Sequence, residues 1–137
     1  MVLFSAAKTS TQSVSVGDII EFADVATNIG NAYSSLRSTF TCPYSGMYVF
    51  HYHVMARTGN CGVQLRKDGV DYFGAYSSDF STWDSASNSM FLDCDERSEI
   101  TVVAYTGGSC YGESTELSSF SGQFLGFTNS SLSAVVN

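Results

Sequence analysis

Two histidines, His51 and His53, are the residues whose type and spacing point most directly to chemistry. One residue separates them, so on a β-strand they share a face, and with a third ligand such a pair can chelate a metal ion. The alternative, which the sequence favours, is a packed histidine pair without metal. The sequence contains no G-x-S-x-G elbow, no H-E-x-x-H motif, no P-loop and no G-x-G-x-x-G motif. We therefore expect a binding protein and not an enzyme.

The four cysteines are the second set with chemical potential. They include no C-x-x-C pair, which argues against a zinc ribbon or a thioredoxin-like site. An even number favours two disulfides and an oxidising compartment, and four reduced thiols are the alternative. The sequence alone permits three pairings of Cys42, Cys61, Cys94 and Cys110.

Composition and charge narrow the class of partner. Of the 137 residues 44% are apolar and 14% charged, with 10 Phe, 8 Tyr and 1 Trp, which is enough aromatic area for one sizeable core. The longest apolar runs are a few residues, far short of the ~20 that span a membrane. Six basic residues stand against 13 acidic ones, a net charge of -7. Nucleic acid and anionic membrane surfaces are therefore poor partners.

The elements that must position these residues are strands. No stretch repeats apolar residues at the helical spacing, and short apolar or aromatic segments alternate with turn residues. Eight or nine such segments predict an all-β sandwich or jelly roll that occupies residues 1–127. Residues 128–137 are rich in serine and lack aromatics, so we expect a flexible tail.

The longest predicted strand, residues 47–56, lies in a segment, residues 46–55, that is apolar or amphipathic on both faces. A strand with one solvated face alternates apolar and polar residues, and this one does not. One face would meet the opposite sheet, and the other face would meet a neighbouring subunit. The alternative is a rim of aromatic side chains at a ligand groove. We expect an obligate oligomer whose interface contains Tyr48, Phe50, Tyr52, His51 and His53.

Two predicted loops, residues 76–84 and 107–113, combine aromatic with small polar residues. This composition is typical of paratopes, and carbohydrate recognition also combines stacking rings with polar groups. A nearby arginine could pair with a ligand carboxylate such as that of sialic acid. The candidate ligand-binding residues are Arg57, Tyr76, Trp83 and Tyr111. The alternative is that Phe80 and Trp83 close the end of the sandwich.

Several spaced motifs resemble the complement component one q globular domain family. The segment Phe40-Thr41-Cys42-Pro43 followed by Gly46, Tyr48 and Phe50 resembles the F-x-C-P-x-x-G-x-Y-x-F signature of that family. Phe4-Ser5-Ala6 resembles the opening F-S-A, and Phe120-Ser121-Gly122 resembles the start of the closing motif. The resemblance covers about residues 2–127. It departs at Arg97-Ser98, where the family has Gly-Asp, and at Gln123, which is inserted in the closing motif. No Gly-X-Y repeat is present.

The resemblance implies a ten-stranded, two-sheet jelly roll like that of tumour necrosis factor, assembled as a homotrimer. Its strand order implies that Cys42 pairs with Cys94 at one end and that Cys61 pairs with Cys110 at the other. Several members of the family hold Ca²⁺ near the trimer apex, and here Asp79 and Asp84 are the candidate ligands. If the histidines lie near the threefold axis, mild acid would crowd positive charges there and loosen the trimer.

The function that the resemblance implies is recognition. We expect a secreted, homotrimeric, lectin-like protein of innate immunity that binds cell-surface or microbial glycans. One alternative is a ligand of the cytokine or adipokine type that binds a protein receptor. Another is an extracellular structural component. We expect neither nucleic-acid binding nor membrane insertion.

Overall fold

The computed structural model describes residues 1–128. Nearly all of the predicted tail lies outside the described residues, and so does Asn129-Ser130-Ser131, which matches the acceptor pattern for N-glycosylation. This part of the chain is all-β and contains no helix, and hence no helix that could cross a membrane. The ten strands are β1 (Leu3–Lys8), β2 (Gln12–Val14), β3 (Asp24–Ile29), β4 (Tyr33–Ser34), β5 (Thr39–Thr41), β6 (Gly46–Lys67), β7 (Val70–Cys94), β8 (Glu99–Ala104), β9 (Gly108–Cys110) and β10 (Ser118–Gly126).

One long hairpin, β6–β7, organises the molecule. Its arms have 22 and 25 residues and are joined at the turn Asp68–Gly69. The segments 47–56 and 62–66, which the sequence suggests as separate strands, are parts of the one strand β6. Residues 77–84, expected to be a loop, are paired within β7, apart from a bulge at residues 80–82 opposite Thr58. A loop was expected because these residues are rich in serine and aromatics, yet the opposite strand supplies backbone partners.

The hairpin folds over on itself near Arg57. The end of β6 therefore lies close to the start of the same strand. Lys67 Nζ, at the end, donates to Asp93 O at 2.9 Å, and Asp93 is the register partner of Met47, near the start. The first half of β6 pairs with β10, and β10 pairs with β1, which also carries β3. The second half of β6 pairs with β8, followed by β5 and β4. The eight-stranded sheet is thus doubled into the two layers of a jelly roll, and β2 and β9 form a separate small sheet.

Aromatic rings fill the space between the layers. Phe4 of one layer stacks on Phe40 of the other, with ring centroids 4.9 Å apart. Tyr48, Phe50 and Tyr52 point into the same core and are at most 1% exposed. The prediction that these three residues lie in a subunit interface is therefore wrong. Alternation along β6 directs them inward, so only His51 and His53 of the predicted set lie on the opposite face.

Two glycines are required by close packing. A Cβ on Gly122 would lie 2.6 Å from the Phe50 ring, so the F-S-G motif leaves room for the stacked core. A Cβ on Gly46 would lie 2.5 Å from the carbonyl oxygen of Gly126, where the first residue of β6 meets the end of β10. A larger residue at either position would clash with its neighbour, which explains why glycine occupies the start of β6 and the middle of β10.

The departures from the family pattern are absorbed locally. Arg97 adopts a left-handed backbone with φ of 73°, the conformation that glycine adopts at low cost. Gln123 pairs regularly with Val49, and the extra residue in β10 is taken up by a register shift between Phe124 and Gly126. Both changes leave the core unaltered.

Candidate functional site

The candidate site lies at the fold-over of the hairpin. Arg57 of β6 is the register partner of Trp83 of β7, so the two side chains are held side by side by the sheet. The guanidinium carbon of Arg57 lies 4.8 Å from the centre of the Trp83 ring and 5.8 Å from that of Tyr111. The rings of Trp83 and Tyr111 meet edge to face at 4.7 Å. We call Arg57, Trp83 and Tyr111 the rim site.

Tyr111 is held in place from several directions. Its backbone N–H donates to Met55 O at 2.9 Å, and its carbonyl accepts from Ser118 Oγ at 3.2 Å. Its phenolic hydroxyl donates to Glu113 Oε2 at 3.0 Å. The preceding residue, Cys110, is tied by a disulfide to β6. The ring is therefore fixed before any ligand arrives.

The guanidinium of Arg57 is exposed and stacked on aromatic rings. Within residues 1–128, it has neither an ion-pair partner nor a hydrogen-bond acceptor. The cation–π contacts restrict the position of the guanidinium, and its N–H groups stay available because no acceptor in the described residues engages them. Two parallel N–H donors match the two oxygens of a carboxylate, so the arrangement can bind such a group.

Tyr76, the fourth predicted ligand-binding residue, lies elsewhere. It pairs with Gly62 on the second half of β6, and its ring contacts Tyr105 with centroids 6.3 Å apart. Its partner Gly62 follows Arg57 by five residues along β6, so Tyr76 lies in the other layer of the fold. The structure therefore brings three of the four predicted residues together and separates Tyr76 from them.

Phe80 lies beside the rim site, at the bulge of β7, and is 76% exposed. Trp83 is 43% exposed, so neither ring closes the end of the sandwich as the alternative required. The bulge is stiffened by Asp79, whose carboxylate accepts the backbone N–H groups of Ser81 and Thr82 at 2.8 Å each. These hydrogen bonds lower the pKa of Asp79 to about 2.

The carboxylates of the two predicted calcium ligands accept hydrogen bonds from backbone N–H groups at and near the bulge. Asp79 caps residues 81 and 82, and Asp84 Oδ2 accepts the backbone N–H of Ser78 at 2.9 Å. In the described part of the chain, no three His, Cys, Asp or Glu side chains cluster closely enough to hold a metal ion. Calcium binding thus stays a prediction, and it requires oxygen ligands beyond these two carboxylates.

The cysteines occupy the two ends that the strand order implied. Cys61 and Cys110 form a disulfide with an S–S length of 2.01 Å near the rim site, as expected. Cys42 and Cys94, at the opposite end, are free and buried, so the expected second disulfide is not formed. The Cys94 thiol donates to Leu92 O at 3.6 Å. The neighbouring Cys94 side chain, together with burial, raises the pKa of the Cys42 thiol and keeps it protonated.

Comparison with known proteins agrees with this architecture. The family model described as the C1q domain matches residues 3–125. The chain belongs to the C1q domain family. It is 30% identical to a human complement C1q subcomponent over 129 residues, and 30% identical to zebrafish Caprin-2 over 128 residues, each covering 90% of the chain. The chain spans 50% of the former protein and 14% of the latter.

Solved structures show the same fold at low identity. The globular domain of zebrafish complement 1qA superposes with a TM-score of 0.75 at 14% identity, covering 93% of this chain and 100% of that one. Eiger TNF from S. frugiperda gives 0.75 at 9% identity, covering 93% and 94%. Murine APRIL at pH 5.0 gives 0.70 at 14% identity, covering 90% and 98%. The jelly roll is therefore common to C1q domains and tumour necrosis factor-like ligands.

Members of the C1q and tumour necrosis factor-like family form trimers and bind receptors or ligands, and C1q homologues are typically secreted. In this C1q domain, the outward side chains of β6 and its neighbours form a face with two halves, which we call the outer face. The apolar half contains Met47, Val49 and Phe91, which is 70% exposed. The polar half contains His51 and His53 with Ser87, Ser89, Ser119 and Ser121 as register partners.

The two histidines of the outer face have no third protein ligand for a metal within residues 1–128. His51 is exposed among serines, and His53 is half-buried with Nδ1 2.7 Å from Leu117 O. The strand is therefore amphipathic on its outer side, with apolar residues towards its start and histidines towards the rim site.

An open cleft of about 390 Å³ adjoins the apolar half. The cleft lies where the first and second halves of β7 approach each other at the side of the sandwich. The two halves are joined there by a hydrogen bond, in which Asn88 Nδ2 donates to Gly74 O at 2.9 Å. Its walls include Val49, Phe91 and Phe73, the last 56% exposed. The sequence analysis did not identify Phe73 and Phe91, because these two side chains come together only when the β6–β7 hairpin folds over on itself. It also missed the role of Glu113 in holding Tyr111, although the spacing of two residues was visible.

Proposed function

We propose that this C1q domain is a secreted, homotrimeric recognition protein that binds carboxylate-bearing glycans, such as those ending in sialic acid, at the rim site. The observation that carries the proposal is the exposed guanidinium of Arg57, whose central carbon lies 4.8 Å from the centre of the Trp83 ring and 5.8 Å from that of Tyr111, and which has no ion-pair partner within residues 1–128. A carboxylate can accept its N–H groups while a sugar ring lies against the neighbouring aromatic edges.

Threefold assembly is supported by the apolar side chains at the outer face. Val49 and Phe91 line one open cleft together with Phe73, and a neighbouring copy would cover them. A heterologous contact between copies gives a closed ring when the rotation that relates them closes, as a threefold rotation does. Three rim sites on one assembly would bind repeated glycans with more avidity than a single weak site.

The test is a glycan array, run with and without Ca²⁺, followed by surface plasmon resonance on the strongest sialylated ligand. We expect Arg57→Ala to weaken binding roughly tenfold or more, because a charge-assisted bidentate contact is lost. The matched control is Arg37→Ala, which removes an exposed arginine that forms an ion pair with Glu99. Equal binding of sialylated and desialylated ligands, or equal loss in both variants, would contradict the proposal.

A second candidate function is receptor binding of the cytokine type, and Phe80 is the observation that favours it. A phenylalanine that is 76% exposed on a bulge stiffened by Asp79 is suited to enter an apolar pocket of a protein partner. Saturable binding to cells that survives sialidase treatment and is lost in Phe80→Ser would support this function over the first.

A further inference from the structure

We propose that the Cys61–Cys110 disulfide is the positioning element of the rim site: it holds Tyr111 against Arg57 and Trp83, and its reduction opens the site while the sandwich stays folded. The binding part of this inference rests on the proposed function. The positioning part does not, because the tryptophan in the site reports on it directly.

The disulfide is adjacent to the site on both of its strands. Cys110 directly precedes Tyr111, and Cys61 follows Arg57 by four residues along β6. The bond joins residues 49 apart in sequence, and within residues 1–128 it is the only disulfide. It therefore fixes the distance between the segment that carries Tyr111 and the strand that carries Arg57.

The remaining attachments of this segment are non-covalent. In the described part of the chain, β9 pairs with β2 over three residues, in a small sheet separate from the eight-stranded one. Beside it, Asn60 Nδ2 donates to Gly107 O at 3.0 Å, Tyr111 N donates to Met55 O at 2.9 Å, and Ser118 Oγ donates to Tyr111 O at 3.2 Å. A short two-stranded sheet is marginally stable by itself, so the covalent bond is the strongest constraint on Tyr111.

Arg57 and Trp83 do not depend on the disulfide in this way. They face each other across the paired arms of the long hairpin, whose halves are built into both layers. Phe50 makes ring contacts in the sandwich interior with Phe40 and Phe120, which lie in β5 and β10 and not in β9. Loss of the disulfide would consequently remove one wall of the rim site and leave the other two groups on a folded scaffold.

Reduction proceeds by ordinary thiol–disulfide exchange with a dithiol such as dithiothreitol. Its thiolate attacks one sulfur of the pair, which forms a mixed disulfide and releases the other cysteine as a thiol after proton uptake. The second thiol of the reagent then displaces the remaining cysteine, so the reagent is oxidised to a cyclic disulfide and both cysteines are reduced. Cys61 and Cys110 are at most 1% exposed, so the reagent reaches them only after local opening.

Trp83 is the only tryptophan of the sequence, so its fluorescence reports on the rim site alone. The test compares the double variant Cys61→Ser/Cys110→Ser with the matched control Cys42→Ser/Cys94→Ser, whose thiols lie at the opposite end of the sandwich. We expect the first variant to show red-shifted emission, about twofold greater quenching by acrylamide and an unchanged far-ultraviolet circular dichroism spectrum. The control should match the wild-type protein.

Dithiothreitol treatment of the wild-type protein is the second measurement and should reproduce the same Trp83 change. Binding of sialyllactose should weaken roughly tenfold in parallel. Unchanged Trp83 fluorescence would overturn the proposal, and so would loss of the β-sheet spectrum on reduction, because the disulfide would then hold the whole fold. If Trp83 responds but sialyllactose binds neither form, the positioning role stands and the proposed glycan ligand is wrong.

Discussion

Trp83 and Tyr111 meet edge to face with their ring centroids 4.7 Å apart, although one lies in the long strand β7 and the other follows the short strand β9. Their contact brings together the two segments that the composition had marked as recognition loops. It also supplies both rings beneath the guanidinium of Arg57. The rim site is thus a junction of three segments, and each segment is held by a different device: strand pairing, the bulge at Asp79 and a disulfide.

The apolar half of the outer face can be tested by charge insertion. We expect Val49→Asp to give a monomer at micromolar concentration in light scattering, because a carboxylate would be buried without a partner in the subunit contact. Leu36→Asp is the control, since Leu36 is 98% exposed and lies in the turn between β4 and β5, away from the outer face. A wild-type protein that is already a stable monomer would contradict the trimer itself.

Alkaline pH should first stabilise the fold. Lys8 is 2% exposed and donates to Gln12 Oε1 at 2.7 Å, and burial lowers its pKa from 10.5 to about 8, against the opposing charge of Glu21. Between pH 8 and 10 the folded chain releases this proton and the unfolded chain keeps it, so the free energy of unfolding rises by on the order of 2 kcal/mol.

The stabilisation by Lys8 should end near pH 10. Burial raises the pKa values of Tyr33 and Tyr52 to about 12, so above pH 10 the unfolded chain loses phenolic protons that the folded chain retains, and stability falls. Urea unfolding at pH 7.5, 9 and 10 measures the rise. Lys8→Met should give a flat profile over this range, and a rise of the same size in that variant would assign the effect to another group.

The left-handed residue of the turn before β8 offers a simple stability test. Arg97 has φ of 73°, and its backbone N–H donates to Cys42 O at 2.7 Å, so the turn is constrained whatever the residue. We expect Arg97→Gly to stabilise the protein by about 0.5–1 kcal/mol in chemical denaturation, because glycine adopts this conformation without a Cβ contact. Glu96→Gly, in the same exposed turn, should not stabilise it.

Calcium binding is best tested in the assembled protein. Asp79 and Asp84 are engaged by their own bulge, so a bound ion would draw further oxygen ligands from carbonyls, water or other copies. We expect millimolar Ca²⁺ to raise Tm by roughly 4 °C, equivalent to about 1 kcal/mol, and Asp84→Asn to abolish the rise. The absence of heat in a calorimetric titration, together with an unchanged Tm, would contradict calcium binding.

Much of the fold could be predicted because its signals are local. The short apolar segments between turn residues, the turn at Asp68–Gly69 and the spaced family motifs each depend on neighbours in sequence. The prediction for Tyr48, Phe50 and Tyr52 is wrong, because a strand that is apolar or amphipathic on both faces does not show which face meets the core. The packing around Phe4 and Phe40, which joins distant strands, decided that question.

The sequence analysis named all three residues of the rim site, but it did not predict which of the four candidates lie together. Arg57, Trp83 and Tyr111 belong to segments with the residue types of a recognition surface, and that signal was sufficient to select them. Tyr76 has the same composition around it, yet lies beyond the fold-over of β6 and β7. Nothing in the local sequence marks where a paired hairpin bends from one layer to the other.

The first and last described segments of the chain lie at the end of the sandwich opposite the rim site. Leu3 pairs with Gln123, Gly126 pairs with Met47, and the Phe127 ring contacts Tyr44, all near the start of β6. Any stalk, neighbouring domain or surface anchor joined before Met1 would therefore leave from the far pole. Immobilised through its N-terminus, the protein would hold Arg57, Trp83 and Tyr111 outward, towards whatever approaches from solution.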